Sequence, residues 1–438
     1  MSAVAARNTA SATERYRAVF DARVRKDDAL TAWRRDALQR FVAQGFPTLR
    51  DEDWKYTNLR RLESRSFAPA DPAPGAIDES LWIANVGMRI VLVNGRAHPG
   101  LSTTSPQPPG VTLLTLGQWM ENSPNDVAAF LASNSPAVSA FHSMNDAFSD
   151  DGIVIDIGES VQLDQPIYVV HQWTGGITSA MSHPRIFLRA APNSRCVLIE
   201  HYVGAADSET LTNSVVTLNI GAGASVTHYR VQQESTRSFH IGHVTARLER
   251  DSRYVCQDVA LGASLARTGI VATLDGPNAD ANLRGLFLPN GSQHLDTYTL
   301  VDHAAPHTQS NEEYRGVADG RGRGVYRGKV IVRKDAQKID SRQSSRNLLL
   351  SPTAEIDTRP ELEIYAHDVK CSHGATTGQL DATALFYLRS RGLSESQARS
   401  LLIRAFAESI LSTIELPSLR SHLERQLHDR FAVQEISP

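Results

Sequence analysis

Residues 191–233 read APNSRCVLIEHYVGAADSETLTNSVVTLNIGAGASVTHYRVQQ. Two apolar, β-branched runs, RCVLIEHYV (Arg195–Val203) and SVTHYRVQQ (Ser225–Gln233), each follow a polar turn, APNS and GAGAS. β-Branched and aromatic residues between turn clusters favour strands. The same unit recurs outward. Gly158 (IGES), Pro192, Gly223, Asp251 (ERDSR) and Asn278 (GPNAD) mark turns spaced by 34, 31, 28 and 27 residues. Further strand runs are Ile153–Ile157, Ile167–Val170, Arg185–Leu188, Val215–Ile220, Arg253–Ala260, Leu283–Leu288, Tyr298–Val301, Val325–Val332 and Leu362–Tyr365. Strands and helices do not alternate, which argues against a doubly wound α/β fold. Short strands at this loose period fit a stacked β-solenoid, whose coils share a core with their neighbours. A β-sandwich or jelly roll gives similar turn spacing, so the pattern alone leaves both open.

The flanks differ. Helical spacing of Leu30, Trp33, Leu38 and Phe41 predicts a helix over 11–44, stopped by Gly45 and Pro47. Residues 68–75 (APADPAPG) and the prolines 106, 108 and 109 read as irregular chain, and Ile90–Val93 as a short buried strand. From Asp381 helices return. Asp381 caps the first, Gly392 ends it, and Ser394 with Gln397 has capping-box spacing. Leu401, Leu402, Ala405, Phe406 and Ile410 predict the apolar face of the next, and Leu419, Leu423 and Leu427 that of the last. These helices suit a solenoid cap or a docking surface. The chain thus divides into a mostly helical region 1–150, a β region 151–373 and a helical region 374–438.

Composition narrows the function. The chain has 438 residues and a formal net charge of −3, which weighs against binding dominated by nucleic-acid phosphates. Its three cysteines, Cys196, Cys256 and Cys371, form no C-x-x-C pair, against a disulfide framework, a zinc ribbon or a self-contained cluster site. No apolar run is long enough to cross a bilayer, and Met1–Ala10 lacks a secretory pattern, so a cytoplasmic protein is expected. Gly324–Lys329 has the wrong spacing for a phosphate-binding loop, and Val330 stands where a Ser or Thr would hold magnesium. Eleven of fifteen histidines lie between His171 and His373, among them His201, His228, His240, His243, His294, His303 and His307. Coil stacking brings some together as ligands, or they are ordinary hydrogen-bonded strand residues. The sharpest motif is DVKCSHG, Asp368–Gly374. On extended chain Cys371 and His373 share a face, and Lys370 beside them would favour the thiolate. A thiolate and an imidazole suit iron or an iron–sulfur species. Taken on the residues alone, the favoured reading is a buried small cysteine and a histidine that caps the chain reversal.

Residues 341–392, SRQSSRNLLLSPTAEIDTRPELEIYAHDVKCSHGATTGQLDATALFYLRSRG, resemble the C-terminal core of the SufB/SufD family of the SUF iron–sulfur cluster assembly machine. GFPTLRDEDWKYTNL, Gly45–Leu59, resembles the N-terminal motif of its SufD branch. KCSHGATTG fits SufD, and QSSRNL (Gln343–Leu348) lacks the cysteine that SufB carries there. The resemblance implies a right-handed parallel β-helix flanked by helical terminal domains. It implies a non-catalytic scaffold that pairs with SufB through the β-helix and with the ATPase SufC through the C-terminal helices. His373 matches the SufD histidine facing the SufB cysteine, as an iron or cluster ligand or a proton-handling group, with Cys371 adjacent. Iron or a nascent cluster would be held transiently in the complex, with no cofactor tightly bound by the isolated chain. Paired β-helix faces leave a homodimer of the isolated chain open. A β-helix carbohydrate-active enzyme and a freestanding metal-binding protein are the competing classes.

Overall fold

Turn chemistry sets the corners of the molecule. Ser160, Asn193, Gly223, Asp251, Asn278, His307 and Lys338 all have positive φ, between 57° and 69°. Asn, Asp and Gly enter that region at low cost, which is why their turns were visible in the sequence. The residues stack. The N–H groups of Asn193, Gly223 and Asp251 donate to Ala222 O, Arg250 O and Pro277 O of the following coil at 2.9 Å. His307 and Lys338 continue the column with residue types that carry no turn signal.

Between corners the chain alternates between two sheets. The computed structural model describes residues 12–23, 28–70, 75–104, 106–135 and 139–431. Eight parallel strands of the first sheet run from Gly152–Ile157 to Glu355–Ile364, each bonded to the strand one coil away. The second sheet runs in the same way from Met88–Val93 through Ile167–Trp173 to Val369–Gly378. Residues in register, Val226, Tyr254, Ala281, Ser310, Ser341 and Cys371, recur every 27–31 residues. The result is a parallel β-solenoid of about eight turns. Parallel pairing excludes the sandwich and jelly roll, which are built on antiparallel strands.

The interior is apolar in most coils. Val216, Val244 and Ile270 stack in one column, and Leu218, Ala246, Ala272, Val301 and Val330 in the next. Each buried Val, Leu or Ile in these columns contributes about 1.5–3 kcal/mol. The recognised strands lie on this scaffold. The missed ones include Gln309–Ala318 (QSNEEYRGVA) and Ile339–Leu349 (IDSRQSSRNLL), whose inward residues Glu312, Gln343 and Ser345 are polar. Reading strands by apolar alternation fails where the interior is not apolar.

Helices cover the outer faces. Ala12–Arg23 and Ala29–Gln44 replace the single helix read over 11–44, because Asp28 caps the second by accepting from Thr31 N. Residue 11, the Met1–Ala10 segment and residues 71–74 of the 68–75 loop lie outside the described residues. Tyr16, Phe41, Phe141 and Phe148 pack on Met181, Leu211, Phe239 and Leu265 of the first sheet. The region up to 150 is not purely helical. Met88–Val93 extends the second sheet, and Val111–Thr115 pairs antiparallel with Gly152–Ile157.

At the other end Ala382–Ser390, Glu395–Leu411 and Pro417–Phe431 follow the last strand, which runs to Gly378, past the boundary read at 373. Asp381 caps the first of these, and Ser394 and Gln397 form the capping box of the second. Of the face read for the second helix, Ile410 is buried and Phe406 packs against the sheet, but Leu401 and Ala405 are exposed; the buried stripe is Ala398, Ile403, Ala407, Ile410 and Leu411. Both stripes have helical spacing, and the one that meets Ile199, Tyr229 and Val259 of the second sheet is buried. Leu401 stays exposed, as do Phe386 and Tyr387. Among the described residues no helix is long and apolar enough to cross a membrane.

Candidate functional site at the open end of the solenoid

Among the described residues the last coil has no successor. Its strands, Glu355–Ile364 and Val369–Gly378, are terminal in their sheets and contain no buried residue. Strand alternation places Val369, Cys371 and His373 on the inward face. Val369 and Cys371 pack against the interior cluster, so the thiol is half-buried, while His373 is exposed. The shared face read from the motif is therefore correct. The thiolate reading is not. Lys370 lies on the opposite face, and burial, aided by Asp340, pushes the Cys371 thiol up from its ordinary range. Cys371 thus rests as a thiol and would ligate only by losing its proton to the metal.

A polar file runs inward from His373. In register beneath it stand Gln343, then Glu312, then Leu283 and Cys256. Gln343 Nε2 donates to Glu312 Oε1 at 3.1 Å. Tyr326 Oη donates to Glu312 Oε2 at 3.2 Å, and Thr299 Oγ1 donates to the same oxygen. Gly328 makes room for this knot, since a Cβ there would collide with Gln343 Nε2 and Tyr326 Oη. Burial pushes the Glu312 carboxyl up to about 7, against those three hydrogen bonds. Two buried atoms beside the file lack partners: Gln343 Oε1 and, on the facing wall, Thr358 Oγ1.

A second polar group crosses the middle of the interior. Arg230 Nε donates to Glu200 at 3.2 Å and its NH1 to Asp258 at 3.1 Å. His228 Nε2 sits 2.5 Å from Glu200, and Tyr202 donates to the same carboxylate. Burial works to raise the Glu200 pKa, but Arg230, His228 and Tyr202 outweigh it and hold the group below the ordinary carboxylate range.

The remaining histidines are mostly structural. His240 and His243 lie on opposite faces of one strand, the first on Glu234 at 2.8 Å, the second against the His142 ring. His303 is bonded to Thr308 and Ser310, and His307 is a turn residue. His201 lies between Tyr168 and Gln233, and His294 on Thr57. No group of three or more His, Cys, Asp or Glu able to hold a metal occurs among the described residues. Cys371 and His373 supply one soft and one borderline donor, which suits iron or cluster cargo but falls short of a four-ligand set. Sequence reading missed Glu312 and Gln343. Only a count of coil length aligning them under His373 would have found them.

The early motif has a structural use. Asp53 Oδ1 accepts from Arg327 at 2.5 Å, Asp53 O accepts from Arg267 at 2.7 Å, and the Arg267 guanidinium lies 4.3 Å over the Trp54 ring. Thr57 bonds His294 at 3.0 Å. DEDWKYT thus clamps the N-terminal segment onto the first sheet.

Comparison with known proteins agrees with this architecture. Residues 172–406 match the family described as SUF system FeS cluster assembly, SufBD core domain, and residues 13–70 match the SufBD protein N-terminal region. The chain is 33% identical over 411 residues to an iron-sulfur cluster assembly SufBD family protein of Synechocystis, covering 91% of each chain. It is 29% identical over 427 residues to the iron-sulfur cluster assembly protein SufD of Escherichia coli, covering 97% of each. An uncapped parallel solenoid with a thiol and an imidazole at its open end, matched along nearly its whole length, belongs to the SufBD family of SUF iron–sulfur cluster assembly proteins and is of the SufD type.

Proposed function

We propose that this chain is a non-catalytic scaffold subunit of the SUF machine, which pairs with SufB through the open end of its β-helix and with the ATPase SufC through its C-terminal helices. The uncapped last coil carries the reading. Its inward residues, Cys371 and His373 among them, have no covering coil, so a second chain is needed to enclose them. His373 would bind iron or a nascent cluster as cargo through a ring nitrogen. Cys371 would add a thiolate once deprotonated, and the partner would supply the remaining ligands. Phe386, Tyr387 and Leu401, exposed on adjacent helices, support a separate docking face for SufC. The scaffold works in the cytoplasm and binds neither nucleic acid nor membrane.

The test is co-expression with SufB and SufC. His373→Ala should lower iron or cluster loading of the purified complex and leave subunit association intact. Unchanged loading removes the ligand role. Failure of the three chains to associate, or tight stoichiometric iron on the isolated chain, overturns the scaffold reading.

A further inference from the structure

Metal-binding histidines nearly always donate their second ring N–H to a fixed acceptor, which sets the tautomer and the ring orientation. His373 has a candidate acceptor directly beneath it. Gln343 is its register partner on the preceding coil, one strand spacing of about 4.8 Å away, and both side chains face inward. The Gln343 amide is not free to turn. Its nitrogen is committed to Glu312 at 3.1 Å, in a slot that exists because residue 328 is glycine. Glu312 in turn is held by Thr299 and Tyr326. The carbonyl oxygen Oε1 is left buried and without a partner. A buried acceptor left unpaired costs about 1–3 kcal/mol, so it calls for a donor. Its register partner on the next coil, His373, carries a ring N–H that can supply one.

We propose that Gln343, held by Glu312, positions His373 by accepting one ring N–H, so that the other ring nitrogen is bare and directed out of the open end. This rests on the reading of His373 as a ligand for cargo iron. It assigns Gln343 the part of a positioning residue and makes Glu312, Thr299, Tyr326 and Gly328 its support. The carbonyl fixes which nitrogen carries the proton of the neutral ring and leaves the other with its lone pair toward the metal.

The experiment uses the full chain, without iron or partners, labelled with 15N at histidine. The ring-nitrogen shifts of His373, identified by their loss in His373→Ala, report its tautomer. In the unsubstituted protein one tautomer should dominate above the ring's titration. Gln343→Met, similar in size but unable to accept, should return His373 to the mixed pattern of a solvated imidazole. Should Gln343→Met fail to fold, Gln343→Asn keeps an amide but draws its oxygen back by one methylene, and the same loss is expected. An identical His373 pattern in the unsubstituted protein and either folded variant overturns the proposal. In the SUF complex, Gln343→Met should weaken iron binding roughly 10-fold to 100-fold. A tautomer shift in the isolated chain together with unchanged loading of the His373→Ala complex keeps the positioning and removes only the ligand role.

Discussion

The middle and the open end of the solenoid both bury polar groups, yet they differ in how those groups are satisfied. In the middle, Glu200 and Asp258 share Arg230, with His228 and Tyr202 closing the set. At the end, Glu312 has hydroxyl and amide donors but no cation, and the file above it finishes on unpartnered oxygens and an exposed His373. A buried network in which two carboxylates share one guanidinium and further hydrogen bonds holds its own coils together. A buried file with open acceptors still calls for a donor, from the exposed last coil or from something that docks on it. The difference separates polarity closed within the coils from polarity left open at the last one.

Acid should break the interior first. Burial holds His171, His142 and His303 near pKa 4, below the ordinary 6.5. A depressed histidine favours the fold above pH 6.5, and that contribution is lost as pH falls from 6.5 toward 4. Each forfeits up to about 3 kcal/mol, so several together exceed the net stability of a typical domain. Circular dichroism against pH should show cooperative unfolding before pH 4. A fold that persists at pH 3 would mean these rings are not buried neutral.

Arg230→Met leaves Glu200 and Asp258 buried without their cation and should cost about 3–5 kcal/mol in denaturant unfolding at pH 7. A cost below that of any change at the open end would erase the distinction between the two regions.

Glu312→Gln probes the end with the opposite sign. The Glu312 pKa is raised, to about 7 from an ordinary 4.5, so the fold binds a proton that the unfolded chain releases. The native protein should therefore lose up to about 3 kcal/mol relative to Glu312→Gln as pH rises from 4.5 to 7, with no further change above. Paired denaturant curves across that range measure it. A difference that is flat with pH would show that Glu312 is already ionised in the fold at low pH.

The smallest effect is expected at His373. His373→Ala removes an exposed side chain but leaves the Gln343 carbonyl without its donor, and should cost about 1–3 kcal/mol. A larger loss, read in the same unfolding assay, would make His373 a structural residue of the last coil.

Much of this was legible in the chain. Asn193, Gly223, Asp251 and Asn278 announced their corners because left-handed backbone selects those residue types. Asp381, Ser394 and Gln397 announced helix starts through their capping groups. DVKCSHG placed Cys371 and His373 on one face because a strand repeats every two residues. Other features were hidden. Strands with polar inward residues, such as Ile339–Leu349, look like surface chain. The buried stripe of Glu395–Leu411 was right at Ile410 and Phe406 but off at Leu401 and Ala405, because periodicity names a helix, not the neighbour it meets. Lys370 looked like a partner of the Cys371 thiol, yet alternation turns it to the other side, and burial decides the thiol's state.

The sequence alone determined the period, the corners, the helix caps and the pairing of a thiol with an imidazole, because each depends on residues a few positions apart. Only the tertiary structure decided that Glu312, Gln343 and His373 form one file, and that the file ends open. Those residues lie about thirty positions apart along the chain. They meet because coils of nearly constant length stack in register, and their charge states follow from burial that no local pattern records.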